Sequence, residues 1–362
     1  MAAEGILADL DIAALFDGGR LKAPRALDDD QIQPASLDLR LGETAYRVRA
    51  SFLPGPDHGV ADKLERLKLH EIDLRNGAVL ETGCVYIVPL LESLDLPDEI
   101  SASANPKSST GRLDIFTRVM ADRTQEFDKI PAGYKGPLYL EVSPRTFPIV
   151  ARTGSRLSQI RFRKGSAGLD EAALARLHEA EVLVASDTPN ISGGGIALSV
   201  DLESGPDGLA GYRGKHHTSV IDVDLKAQHD VLDFWEPVYT RGNGYIILDP
   251  DEFYILVSRE AVHVPPLYAA EMTPFDPLVG EFRVHYAGFF DPGFGHSDAG
   301  GSGSRAVLEV RSHEVPFILE HGQIVGRLIY EHMLERPRAL YGSDLGSNYQ
   351  AQGLKLSKHF RT

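Results

Sequence analysis

Cysteine is almost missing: the 362 residues contain one, Cys84. A lone thiol excludes a disulfide framework and every zinc site built from two or more cysteines. Long hydrophobic runs are also missing. No stretch approaches the ~18 apolar residues of a membrane-spanning helix. Residues 1–16, MAAEGILADLDIAALF, carry neither a basic flank nor a signal-peptide core. A cytoplasmic protein with no membrane partner is expected. Positive charge is in deficit, with 37 Lys+Arg against 52 Asp+Glu and a net charge of −15. That balance argues against nucleic acid as a partner and leaves room for a local basic pocket that takes a small phosphorylated molecule. The HExxH, GxSxG, P-loop and GxGxxG patterns do not occur. What is present is ordinary globular material, 43% hydrophobic and 25% charged. At roughly 150 residues per domain the length suggests two domains, or three.

The chain reads as one unit written twice. Leu7, Leu10, Ile12, Leu15 and Phe16 fall at helical spacing before a Gly18-Gly19 stop. A second helix is predicted after Asp170 as N-cap, with Leu174, Leu177 and Leu183 on one face. Each helix precedes a short strand pattern, residues 34–42 and 196–205, matched at Ser36/Ser199, Asp38/Asp201 and Leu39/Leu202. Further on, Tyr86/Tyr254, Pro97/Pro265, Glu141/Glu309, Pro148/Pro316 and Gly154/Gly322 all keep an offset of 168. Many short apolar segments broken by Gly and Pro predict a mainly β protein: two tandem antiparallel barrel or jelly-roll units, each opened by a short helix. The boundary is placed between residues 165 and 166, and residues 296–304 read as an expanded loop of the second unit.

Zinc-dependent nucleobase deamination needs an H-x-E segment and a P-C-x-x-C pair, which one cysteine cannot supply. His216 and His217 are adjacent, so on a strand they point to opposite faces, and a polar loop explains them. Residues 105–112, NPKSSTGR, are more informative. Pro106 and Gly111 bracket hydroxyls, an amine and a guanidinium, a set suited to cradling a polyanion; a solvated loop before a helix has a similar composition. Glu141 and Glu309 each interrupt an apolar strand pattern. Such a glutamate ordinarily lies on a solvated face, but its recurrence in both units points to a carboxylate that could pass protons.

In register, these segments resemble the dCTP deaminase family of the dCTP deaminase/dUTPase superfamily. The matching elements are QPASLDLRLG, KSSTGR, VMADR, IPAGYKG and the LE that ends at Glu141, with a C-terminal stretch from Tyr341 through NYQAQGLKLS. The resemblance implies dUTPase-like units and hydrolytic deamination of dCTP to dUTP and ammonia without a protein-bound metal. Water would attack C4 with a glutamate, Glu141 or Glu309, shuttling protons and Ser108 and Arg112 orienting it. Lys107, Ser109, Thr110 and Gly111 would hold phosphates. Ala121, Arg123, Asp128 and Tyr139 in the first unit, and Asp291 and Val307 in the second, would bind the rest of the nucleotide. Tyr341, Tyr349, Gln352 and Lys355 would belong to a tail that folds over it. No cofactor is required for the chemistry, and Mg2+ is expected on the triphosphate. Family members are homotrimers, so a trimer or a multiple of it is expected.

The departures define the open alternatives. Pro131 replaces the turn aspartate in the first unit, where about six extra residues follow Arg123, and Asp128 is a candidate substitute. The second unit keeps the turn, Phe290 through Phe294, and Glu309, but its counterpart of the phosphate loop, residues 273–280, lacks the serine pair and the arginine. The tail's usual lysine is Asn348, with Lys355 as a substitute. One arrangement puts the site in the first unit, with the second lending its tail; it is preferred because three two-domain chains can form two stacked homotypic rings. The other combines residues 107–112 with Asp291 and Glu309. Rival functions are dUTP hydrolysis to dUMP and pyrophosphate, alone or after deamination, and a non-catalytic nucleotide-binding regulator.

Overall fold

The computed structural model describes residues 4–186, 188–242, 244–274, 282–284, 288–299, 301–312, 314–342 and 353–361. The expectation of a mainly β, antiparallel architecture is met, and a helix opens each half of the chain. Asp9–Asp17 buries Ile12 and Leu15 and stops at Gly18, with Gly19 at φ 67°. Glu171–Ala180 starts on Asp170, whose Oδ1 accepts the Ala173 N–H at 2.7 Å. That bond satisfies one of the amides a helix start leaves without an intrahelical partner.

The chain divides into two compact units. One comprises Met1–Ala167 together with His217–Gln228; the other comprises Gly168–His216 and His229–Thr362. A boundary at 165/166 places His217–Gln228 in the second unit, whereas the segment packs with the first. There Ile221–Asp222 adds in parallel to Ile149–Ala151, whose other edge pairs with Ala78–Leu80. Arg152 anchors the segment through Asp222 at 2.5 Å and through Asp224.

In the first unit one sheet centres on Val85–Asp95 and Lys135–Pro144, flanked by Thr44–Val48 and Ile115–Ala121. A second sheet joins Ile100–Pro106, Arg156–Lys164 and Leu37–Arg40. The second unit pairs Phe253–Val262 with Ser304–Ser312, and Tyr268–Pro274 with Ile324–His332. Its core packs Leu198, Leu256, Leu308, Val310 and Leu328 at full burial.

Strand register repeats at 168. Tyr86 opposes Val142 and Tyr254 opposes Val310; Ile87 opposes Glu141 and Ile255 opposes Glu309. Each tyrosine hydroxyl accepts a backbone N–H five residues back, Glu81 and Asp249, both at 3.0 Å. One sequence match needs correction. Ser36/Ser199, Asp38/Asp201 and Leu39/Leu202 are not structural counterparts. Leu37 pairs with Ile160 and Ile196 with Leu328, while Arg40 and Ser199 donate their N–H groups to Glu92 and Glu260, each at 2.8 Å. The offset there is 159, from Arg40 to Ser199. Leu37–Arg40 is buried along its whole length, as is Gly195–Asp201. Both strands alternate apolar and polar residues, and a slip by an even number of residues leaves that alternation intact, so it does not fix their register.

Candidate active site

Glu141 is built into Lys135–Pro144, with Ile87 opposite on one side and Arg118 on the other. Its side chain is 1% exposed, and Oε1 accepts from Arg118 Nε at 3.0 Å and Nη2 at 2.6 Å. Its Oε2 is buried without a hydrogen-bond partner among the described residues. Arg118 lies with its guanidinium 3.5 Å from the Phe127 ring centroid and 4.7 Å from that of Phe116, and also donates to Ser51 Oγ at 2.8 Å. Within the chain Glu141 is therefore held by Arg118, and not by Ser108 or Arg112. Arg118 was missed by motif reading, although facing positions on paired strands bring opposite charges together.

The turn beside this hairpin explains its GYKG sequence. Gly133 sits at φ 72°, a left-handed conformation that favours glycine, and a Cβ there would stand 2.7 Å from Asp98 Oδ1. The Tyr134 hydroxyl accepts the Asp122 N–H at 3.0 Å and donates to the Pro137 carbonyl at 2.7 Å, tying the hairpin's two sides together. Burial pushes the pKa values of Tyr134 and Tyr139 up to about 12. Asp128, at φ 60°, turns back so that Oδ1 accepts the Val119 N–H at 2.7 Å. The residue is partly exposed, but its carboxyl packs inward. Burial pushes its pKa up to about 7, the Glu141 charge adds to the rise, and the Val119 amide, Arg118 and Lys129 oppose it. Ala121 is buried, while Arg123 is exposed and adopts φ 59°.

Residues 107–112 form a single helical turn, Ser108–Gly111, capped by Lys107. Ser109, Thr110 and Arg112 are buried, and Lys107 and Ser108 stay partly exposed. The Lys107 ammonium pairs with Asp38, whose carboxylate also lies 3.6 Å from Arg156.

In the second unit Glu309, Val307 and Asp291 are all buried. Asp291 opens the turn in which Phe294 N–H donates to the Asp291 carbonyl at 3.1 Å. Tyr341 closes on that turn: its N–H donates to Pro292 O at 2.8 Å and its ring lies 5.7 Å from Phe294. Lys355 is partly buried. Tyr349, Gln352 and Asn348 lie outside the described residues, as do residues 275–280 of the second unit's loop. His216 and His217 part company, the first bonding Glu252 Oε1 at 2.9 Å and the second turning at φ 58°. Among the described residues no three His, Cys, Asp or Glu side chains gather as a metal site, and no helix is long and apolar enough to cross a membrane.

Comparison with known proteins accords with this geometry. Residues 3–166 match the family model of the 2'-deoxycytidine 5'-triphosphate deaminase N-terminal domain, and residues 170–360 that of the C-terminal domain. A dCTP deaminase from Pectobacterium atrosepticum is 33% identical over 165 residues, covering 43% of this chain and 82% of that protein. A dCTP deaminase, dUMP-forming, from Beutenbergia cavernae is 32% identical over 158 residues, 43% of this chain and 78% of the relative. The crystal structure of 2'-deoxycytidine 5'-triphosphate deaminase from Agrobacterium tumefaciens superimposes with a TM-score of 0.90 at 76% identity, covering 95% of this chain and all of that one. With both halves matched in order and a near full-length structural counterpart, the chain belongs to the dCTP deaminase family of enzymes.

Proposed function

We propose that the chain deaminates dCTP hydrolytically, giving dUTP and ammonia. One observation carries the reading: in a chain of this family, a buried glutamate occupies the same register position in two strand pairs, opposite Ile87 and opposite Ile255. A carboxylate withdrawn from bulk water and fixed on a strand is a competent proton carrier. Water adds its oxygen to C4 while the glutamate takes one of its protons and passes it to ring N3. The new hydroxyl's proton then reaches the amino nitrogen, the C4–N bond breaks with its electron pair on nitrogen, and the carbonyl of uracil forms. Lys107 and Ser108, the partly exposed members of their turn, supply a cation and a hydroxyl for phosphate oxygens. Mg2+ enters as part of the substrate on the triphosphate. This route uses no protein-held metal, and the assembly is a homotrimer. The repeated register supports descent of both units from one duplicated barrel.

A second reading is favoured by the dUMP-forming relative and the intact Asp291 turn: the dUTP formed is hydrolysed on to dUMP and pyrophosphate. Incubation with dCTP followed by chromatography and an ammonia assay separates the two. Equimolar dUTP and ammonia are expected, whereas dUMP with pyrophosphate establishes the second reading. Unchanged dCTP beside hydrolysed dUTP would leave a dUTPase, and no turnover of either a binding protein.

A further inference from the structure

The two glutamates share a register, but the segments that follow the neighbouring strands take different courses. In the first unit Tyr46, Ile87, Glu141 and Arg118 form one row across the sheet. Residues 49–67, which connect Thr44–Val48 to Lys68–Asp73, fold back over that row. Val60 and Leu64, one helical turn apart in Val60–Leu67, pack with Phe52 against Ile87, Met120 and Tyr139. Polar contacts fasten the same segment to the hairpin turn. The Val60 N–H donates to Asp122 Oδ1 at 2.7 Å, Arg123 N–H to His58 O at 3.1 Å and Gly55 N–H to Thr124 O at 3.0 Å. Side chains and backbone at 121–124 that a base or sugar would need are therefore engaged within the chain.

The second unit has a row of the same pattern, Tyr212, Ile255 and Glu309. Its corresponding connection, residues 215–234, takes another course. His217–Gln228 leaves for the first unit, and only the short helix Val231–Phe234 returns. There Phe360 packs between Phe234 and Trp235, and Trp235 lies 6.0 Å from Phe253, two residues along the strand from Ile255. The turn aspartate, Asp291, is retained in this unit and replaced by Pro131 in the other.

Resting on the deaminase reading above, we propose that Glu309 is the working glutamate. Residues 51–67 are then a resident plug of the first unit's face, and Glu141 is the structural counter-ion of Arg118. Burial of Val60 and Leu64 makes the plug part of the core rather than a lid.

Full-length Glu309→Gln and Glu141→Gln proteins test this with dCTP as substrate. Glu309→Gln is expected to lower kcat by ~10²–10⁴-fold with its melting temperature kept. Glu141→Gln is expected to melt earlier, because Arg118 loses its ion-pair partner, and to keep kcat and KM within about threefold of wild type below that transition. Titration of dCTP into the Glu309→Gln protein reads the plug directly: one nucleotide per chain is expected, and two would overturn it. A kcat loss with Glu141→Gln matching or exceeding that of Glu309→Gln overturns the assignment and leaves the deaminase reading standing. Undiminished turnover in both variants overturns the glutamate mechanism as well, and a wild-type chain inert on dCTP removes the function itself.

Discussion

Asp128 shows how one side chain reports on its surroundings. A carboxyl titrating near 7 in the folded chain and near 4 when unfolded binds its proton more tightly in the folded state. Its contribution to stability is whole below about pH 4 and is lost as pH rises through about 7. Asp128→Asn keeps an oxygen for the Val119 N–H and tolerates φ 60°. The variant is expected to gain about 1–2 kcal/mol at pH 8 and to flatten the stability profile between pH 4 and 7, checked by urea denaturation across that range. Solvent reaching the partly exposed residue keeps the gain below that of the full shift. Lys107 carries a comparable lesson: a lysine read as a phosphate ligand is paired with Asp38, so a triphosphate bound there would have to compete with that carboxylate.

Among elements, the helix Val60–Leu67 is the informative one. Leu64→Ala is expected to cost about 2–4 kcal/mol by leaving a hole against Ile87 and Met120, read as an earlier urea midpoint at an unchanged slope. If that helix only covered solvent-facing surface, the cost would stay below about 0.5 kcal/mol. Its signal was present in the sequence, Val60, Leu64 and Leu67 at i, i+4 and i+7, but two turns are short for periodicity to stand out. The strands of Tyr86 and Glu141 were legible with their counterparts because these residues recur at one offset of 168, which the strand pairing keeps. The register of Leu37–Arg40 was not, since its apolar–polar alternation is unchanged by an even slip and chance Ser and Asp matches suggested a shift four residues too far. For the candidate site, the shared register of Glu141 and Glu309 was legible in their recurrence. What holds Glu141 was not, because Arg118 reaches it across the sheet, and Ser51 and Phe127 reach Arg118, through folding rather than through adjacency.

At the scale of the whole chain, the excursion of His217–Gln228 decides how the halves can be treated. Arg152 is held between Asp222 and Asp224, both partly exposed, so the joint energy is modest. Asp222→Ala/Asp224→Ala is expected to lower stability by about 1 kcal/mol and to open residues 217–228 to limited proteolysis, followed by mass spectrometry. An unchanged cleavage pattern would show that the Ile221–Asp222 ladder alone fastens the segment.

That excursion also orders events during synthesis. Ile149–Ala151 meets its second neighbour only when Ile221–Asp222 exists. At ~5–20 residues per second the intervening stretch takes roughly 4–14 s to make. Throughout that interval the nascent first half presents an open strand edge to whatever other chains are near, the geometry that seeds aggregation. Cutting the gene at the family-domain boundary would make the interval permanent. Expression of residues 1–166 alone therefore favours inclusion bodies, however well their own core is packed.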